Sequence, residues 1–329
     1  MNWALIGTGG ISNSFATALH NTEGAMLKAV LSRSTDYAMR FAHQHEVEKT
    51  YTDYEALLND PTIDIIYIGT PHTTHKEFAI PALKAKKAVL CEKPISINAQ
   101  EAKEMINVAR EEHVFLMEAM WTRFVPPIVK VREWLSAGRI GELKMVQANF
   151  GFRAAWEPSS RLLNKHLGGG ALLDAGVYPI SLASMVFGSH QPEKIVSSLY
   201  RGETGVDEEC ACILSYGGPR LANLATALRT RLTNDSWIYG TQGHIFVPNF
   251  VFARNAHLVI EKTSYEDFKG DFIGNGYNYE AESVMCCLRE GKIENEIMPL
   301  DESLIIMQIM DTIRIQNNFY YPKEINGQC

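Results

Sequence analysis

The first third of the chain alternates two patterns. Short apolar runs at residues 3–6, 26–31, 63–68, 88–91 and 115–118 are separated by stretches in which apolar positions recur at helical spacing, as Phe15, Ala16 and Leu19 do. Unbroken apolar runs, rather than strict alternation, are the mark of strands buried on both faces. Strands of that kind alternating with helical stretches, one after the first strand and others over 36–45, 75–85 and 98–112, predict a doubly wound parallel sheet, each crossover returning the chain to the same edge. The run Asn98-Ala99-Gln100-Glu101 reads as a capping box opening the last of these helices. From Pro126 the grammar changes. A helix over 128–137 leads to a strand over 143–152 and a polar loop over 153–164. A glycine-rich turn then opens an apolar helix that ends near Phe187. Extended candidates follow at 194–200, 208–215, 220–229, 236–240, 244–247 and 256–261 with no helix between them, which predicts a largely antiparallel sheet. Helices over 277–289 and 300–317 close the chain. One domain therefore covers 1–121. A second, α+β in class with a large, mainly antiparallel open sheet, covers 122–329, and its last helix is placed to pack back on the first domain. Helices on one face of that sheet leave the other face to be covered by self-association, as a homodimer or homotetramer.

Composition narrows the partners. A chain of 329 residues, 46% hydrophobic and 21% charged, carries a net charge of −7 with no basic block, so it presents no footprint for nucleic acid or anionic membrane. No uninterrupted apolar span approaches the ~20 residues of a membrane helix, and the start has no basic segment leading a long apolar one, so a cytoplasmic location is expected. The six cysteines, Cys91, Cys210, Cys212, Cys286, Cys287 and Cys329, show no CxxC pairing and read as small buried apolar residues rather than a disulfide or zinc framework.

Candidate chemistry begins at the first turn. Gly7-Thr8-Gly9-Gly10-Ile11-Ser12 stands between a strand and a helix and fits the dinucleotide fingerprint of a Rossmann domain, with Ser12 in the third small position. Gly7 permits the tight turn, Gly9 lets the backbone approach a pyrophosphate, and the helix start offers its N–H groups to that charge. The second strand ends at Ser32-Arg33-Ser34 instead of the acidic residue that holds a ribose 2′-hydroxyl. Hydroxyl and guanidinium groups suit a 2′-phosphate, so NADP is preferred over NAD. Thr70, Pro71 and His72 follow the buried 63–68 strand and line the same crevice. Although His72 and His75 have an HxxH spacing, no carboxylate or cysteine partner accompanies them, so no metal is expected.

The run Ala88 to Pro94 is a buried strand stopped by proline, which puts Lys93 at the strand's carboxyl end, where parallel sheets bind ligands. In Gly168-Gly169-Gly170-Ala171-Leu172-Leu173-Asp174-Ala175-Gly176-Val177-Tyr178-Pro179, Asp174 and Tyr178 are four apart and share a face if the segment is helical. A phenol of ordinary pKa about 10 exchanges protons poorly at neutral pH, and an ammonium beside it favours the phenolate. Lys93 is the candidate ammonium. Tyr178 would then move the proton of an alcohol as hydride passes between its carbon and nicotinamide, and Asp174 would orient Lys93 or a substrate hydroxyl.

These elements, the glycine turn, Glu92-Lys93-Pro94 and the Gly168–Pro179 motif, resemble in order and spacing the glucose-fructose oxidoreductase/inositol dehydrogenase family, Gfo/Idh/MocA. The resemblance covers nearly the whole chain. It implies a catalytic role for Lys93 and a place for Glu92 beside the cofactor. Tyr178 stands where many members carry histidine, which is similar to glucose-fructose oxidoreductase and the dimeric dihydrodiol dehydrogenases. The run 117–124 is similar to the second of these branches and implies a substrate pocket formed by Trp121 and Arg123; the alternatives are interdomain packing and an interdomain ion pair. Phe152 and Arg153, after a strand end, are placed to reach that pocket. The leading function is an NAD(P)-dependent oxidoreductase acting on a CH–OH or C=O group of a sugar, cyclic polyol or trans-dihydrodiol. A catalytically silent, cofactor-binding sensor comes second, and a non-redox sugar-binding protein last.

Overall fold

The computed structural model describes residues 1–261 and 264–325; Cys329 lies outside them. It falls into two compact units, and neither is a single stretch of chain. Met1–Ser96, Gln100–Phe124 and Phe272–Ser303 make the first, while Ile97–Ala99, Val125–Asp271 and the residues from Leu304 onward make the second.

The first unit is built from β1 (Asn2–Ile6), α1 (Gly10–His20), β2 (Met26–Leu31), α2 (Thr35–His45), β3 (Lys49–Tyr51), α3 (Tyr54–Leu58), β4 (Ile65–Ile68), α4 (His75–Lys84), β5 (Ala88–Glu92), α5 (Ala99–Glu112) and β6 (Leu116–Ala119). All the strand pairs are parallel, in the order β3-β2-β1-β4-β5-β6, the Rossmann arrangement in which order reverses between β1 and β4. Every residue of β4 and β5 is buried, as unbroken apolar runs require. Trp3, Phe15 and Tyr67 tie α1 to the sheet, the last two stacked with ring centroids 3.9 Å apart.

The second unit holds α6 (Pro126–Ser136), β7 (Leu143–Gly151), α7 (Val177–Phe187), β8 (Lys194–Arg201), β9 (Asp207–Ser215), β10 (Leu221–Ala227), β11 (Ser236–Gly240), β12 (Gly243–Val247), β13 (Asn255–Ile260) and β14 (Ser264–Lys269). Its eight strands run β14-β13-β12-β11-β7-β10-β9-β8, antiparallel throughout except where β10 lies parallel to β7. After β14 come α8 (Asn278–Arg289), α9 (Leu300–Gln316) and α10 (Pro322–Ile325). Helices α6 and α7 cover one face of the sheet. Register carries a single row across the other face: Val196, Ile213, Asn223, Gln147, Trp237, Phe246, His257 and Asp267 lie opposite one another in turn. These positions are half-buried or exposed, whereas the residues flanking them along β7, β9 and β10 are buried. Trp237 stacks on Phe246 at 4.2 Å, so the open face has an aromatic centre.

Three expectations need correcting. The cut at 121/122 does not hold, because α8 and the segment up to the first turn of α9 belong to the first unit. Helix α8 buries Ala281, Val284 and Met285 and packs on α1, a long-range match that no linker signal marks. Cys286 is exposed, unlike Cys91, Cys210, Cys212 and Cys287. The continuous helical stretch Lys165–Phe187 is long and apolar enough to span a membrane, yet almost all of it is buried inside the second unit, as befits a core helix. The short α3 and the strand β14 have no counterpart in the sequence reading, since both are too brief to show a period.

Candidate active site

At the end of β1 the chain turns at Gly7, whose φ of +98° suits glycine and whose Cβ, if present, would stand 3.0 Å from the carbonyl oxygen of Gly69. This close approach sets the Gly69–Thr70 loop, at the end of β4, beside the glycine turn. A Cβ on Gly9 or Gly10 would enter open space, with no atom within 4 Å. Gly10, Ile11 and Ser12 open α1, and their N–H groups have no intrahelical acceptor. The cradle therefore fits a pyrophosphate. At the end of β2, Ser32 is buried and its Oγ accepts from the Ser34 N–H at 3.5 Å, while Arg33 is exposed, as a guanidinium reaching a bound 2′-phosphate would be. These residues can hold a nicotinamide dinucleotide, with Thr70, Pro71 and His72 at the neighbouring strand end. His72 is buried in a single 3₁₀ turn over His72–Thr74.

Lys93 is half-buried in a turn braced from three sides. Glu92, expected at the cofactor, is instead a buried anchor: it accepts the Tyr67 phenol at 2.6 Å and the Lys93 N–H at 3.1 Å. Burial, with the Glu92 charge alongside, raises the Tyr67 pKa well above its ordinary value and keeps the phenol a donor. Glu280, fully buried on α8, has its pKa pushed well up by burial and then by the Glu92 charge. On the second side, His75 is fully buried between two carbonyls, Nδ1 3.0 Å from Pro94 O and Nε2 2.9 Å from Thr70 O. Only the imidazolium donates to both. His75 thus joins the Lys93 turn to the loop beside the glycine turn, a role that its HxxH spacing did not suggest.

On the third side Glu118, at the end of β6, accepts the Ile95 N–H at 3.1 Å and is fully buried. Burial pushes its pKa up to about 7. A carboxyl raised in the fold contributes stability that is complete below its unfolded value near 4.5 and lost as pH rises through 7. Glu118→Gln keeps the acceptor without the charge. Its stability relative to the parent is expected to rise between pH 5 and pH 8 by a few kcal/mol, at about 1.4 kcal/mol per pKa unit. Urea unfolding at the two pH values checks this, and a gap that does not change with pH would sink it.

Arg123 is not a pocket residue. It is buried, pairs with Glu302 at 2.6 Å and donates to Ile297 O at 3.2 Å, all within the first unit. Trp121 is likewise buried, its ring 4.7 Å from that of Tyr277. These contacts are thus an ion pair and ring packing inside the first unit, not between domains.

In the second unit Leu172–Gly176 forms a π-helical turn that runs into α7, a feature found most often at functional sites. Its cause lies in tertiary contacts. Asp207, fully buried on β9, accepts the Leu172 N–H at 2.6 Å, and Gly170, at φ +136°, brings its backbone so near that a Cβ would meet Asp207 Oδ1 at 2.0 Å. Tyr321 donates to Gly169 O at 3.0 Å. Burial raises the Asp207 pKa to about 7. Asp174, in the π turn, pairs through Oδ1 with Arg161 at 2.8 Å. Arg161 lies in the polar loop over 153–164, where no local pattern marks it. Tyr178 is in the first turn of α7, its ring edge-on to Phe150 with centroids 5.4 Å apart. Phe152 is half-buried 5.9 Å from Phe150, and Arg153 beyond it is exposed. Among the described residues no group of three His, Cys, Asp or Glu side chains is placed to hold a metal.

Comparison with known proteins decides the family. Residues 1–120 match an oxidoreductase family with an NAD-binding Rossmann fold, and residues 128–246 match the GFO/IDH/MocA C-terminal domain. The chain belongs to the GFO/IDH/MocA oxidoreductase family. Its curated relatives include trans-1,2-dihydrobenzene-1,2-diol dehydrogenases from Xenopus laevis, 39% identical over 97% of this chain and 99% of that one, and from Homo sapiens, 35% identical over 98% and 99%. Among solved structures a 3-ketoreductase from Actinomadura kijaniata, in complex with NADP and TDP-benzene, superposes with a TM-score of 0.85 at 25% identity, covering 98% of this chain and 99% of that one. Like other GFO/IDH/MocA members, this protein is an NAD(P)-dependent oxidoreductase.

Proposed function

We propose that this oxidoreductase uses NADP to oxidise one carbinol of a cyclic vicinal diol, a trans-dihydrodiol or a sugar, or to reduce the corresponding ketone, with Lys93, Asp174 and Tyr178 as its catalytic residues. The observation that carries the reading is the arrangement of Asp174 and Tyr178: an acid held by Arg161 in a π turn, one helical turn before a phenol packed on Phe150. A vicinal diol offers two hydroxyls to such a pair. A nicotinamide dinucleotide held by the glycine turn and by Ser32 and Arg33 would supply the hydride-transfer chemistry. Tyr178 accepts the proton of the reacting hydroxyl in oxidation and returns it in reduction, and Lys93 offers its ammonium to the reacting oxygen. Asp174, held by Arg161 through Oδ1, is the group proposed to orient the second hydroxyl. The names of the near full-length relatives favour the dihydrodiol, and that of the ketoreductase keeps sugars in view. The test is nicotinamide absorbance with NADP and then NAD against trans-dihydrodiols, cyclic polyols and aldoses. Turnover of a vicinal diol is expected; turnover confined to isolated alcohols would overturn the diol reading.

Preference for NADP rests on Ser32 and Arg33 at the end of β2. Arg33→Ala is expected to weaken NADPH binding about tenfold or more with little change for NADH, the weight of a charge-assisted contact to phosphate. Equal losses would remove the 2′-phosphate assignment.

Self-association through the open sheet face, as a homodimer or homotetramer, belongs to the same proposal. The row from Val196 to Asp267, with Trp237 and Phe246 at its centre, is a wide patch of the kind that a partner covers. Sedimentation is expected to show an oligomer that Trp237→Glu dissociates. A parent protein that is monomeric at micromolar concentration would count against it.

A further inference from the structure

The glycine turn is held from behind by two side chains that lie outside the dinucleotide fingerprint. Asn13, in the first turn of α1, donates through Nδ2 to Gly9 O at 2.8 Å and lies 3.3 Å from Thr8 O. Its Oδ1 is 2.8 Å from Nε2 of His45, the last residue of α2. Chemistry settles the amide's orientation, since an amide oxygen turned toward two carbonyl oxygens would be repelled. Oδ1 therefore faces His45, and Nε2 carries the proton. His45 is buried, its ring 4.6 Å from that of Phe41. Burial, and then the His20 imidazole nearby, hold its pKa below the ordinary 6.5. The neutral Nε2–H tautomer and the imidazolium donate alike, so the contact survives either protonation state.

An anion site at a helix start needs its N–H groups presented together with no carbonyl oxygen intruding. Thr8 and Gly9 are the residues whose peptide planes decide this: the Gly9 carbonyl takes the first backbone bond of α1, from the Asn13 N–H at 3.0 Å, and the Asn13 side chain is the further donor that reaches both carbonyls. We propose that Asn13 and His45 are positioning residues for the cofactor: together they hold the Thr8 and Gly9 carbonyls turned away from the pyrophosphate, so that the Gly10, Ile11 and Ser12 N–H groups meet it without rearrangement. His45 acts only through Asn13. It gives the Asn13 oxygen a donor and so prevents the amide from rotating.

The experiment is fluorescence titration of the full chain with NADPH, alongside calorimetric titration with 2′-AMP, which carries the adenosine and 2′-phosphate but no pyrophosphate. His45→Phe keeps a ring against Phe41 and removes the donor. It is expected to raise the Kd for NADPH about tenfold, the weight of one hydrogen bond, and to leave the Kd for 2′-AMP within twofold. His45→Gln, whose amide N–H reaches the position of Nε2, is expected to restore NADPH affinity to within threefold of the parent. Asn13→Ala, which leaves the ring contact between His45 and Phe41 in place, should lose at least as much NADPH affinity as His45→Phe. Unchanged NADPH affinity in His45→Phe, an equal loss for 2′-AMP, or failure of His45→Gln to restore binding would each overturn the proposal.

Discussion

Lys93→Met is expected to lower kcat by about 10³-fold while the Kd for NADPH stays within about threefold of the parent. A positioned proton-transfer partner typically contributes 10²–10⁴-fold, and Lys93 is asked to face the reacting oxygen. Methionine keeps the length of the side chain and removes only the ammonium. The turn should survive the change, because its braces are elsewhere: Tyr67 on Glu92, His75 on Pro94 O and Glu118 on the Ile95 N–H. Steady-state kinetics at saturating cofactor, fluorescence titration and a thermal melt separate these effects. Full activity in this variant would remove Lys93 from the mechanism. An equal collapse of the melting temperature would make its role structural.

Tyr178→Phe is the second large effect. The hydroxyl is its only chemical difference, and the edge-on contact with Phe150 at 5.4 Å is kept, so stability should move by less than about 1 kcal/mol. A loss of at least ~10² in kcat is expected, with KM for the substrate changed far less, because proton transfer is made in the transition state and not in the ground state. The pH profile carries the discriminating signal. The parent's kcat for oxidation should rise with pH as the proton-accepting group deprotonates, and the variant's should lose that rise. A variant within threefold of the parent would assign the proton to some other group.

The two substitutions test residues that were legible in the sequence, and the reason they were legible is local. Lys93 is marked by a buried strand stopped at Pro94, and Tyr178 by a glycine-rich turn opening an apolar helix. Each signal lies within about a dozen residues of the position it marks. The same holds for the glycine turn at Gly7 and for the parallel sheet, where runs of apolar residues give strands and the right-handed crossover leaves few ways to order them. The ambiguous positions are those whose local signal is the same under two readings. An arginine after Trp121 reads equally as a pocket residue or an ion-pair residue, and only Glu302, 179 positions away, makes it the second.

The sequence alone thus determined what depends on neighbours along the chain: the periods of helices and strands, the turn that needs glycine, and the residue types able to move a proton beside nicotinamide. The tertiary structure decided what depends on neighbours in space. It placed α8 in the first unit, put Tyr67 on Glu92, set His75 between two carbonyls, paired Arg161 with Asp174 and used Asp207 to bend a helix start into a π turn. Burying a charge or a carbonyl is costly unless a partner meets it, and that partner is found wherever the fold brings a suitable group, at no fixed distance along the chain.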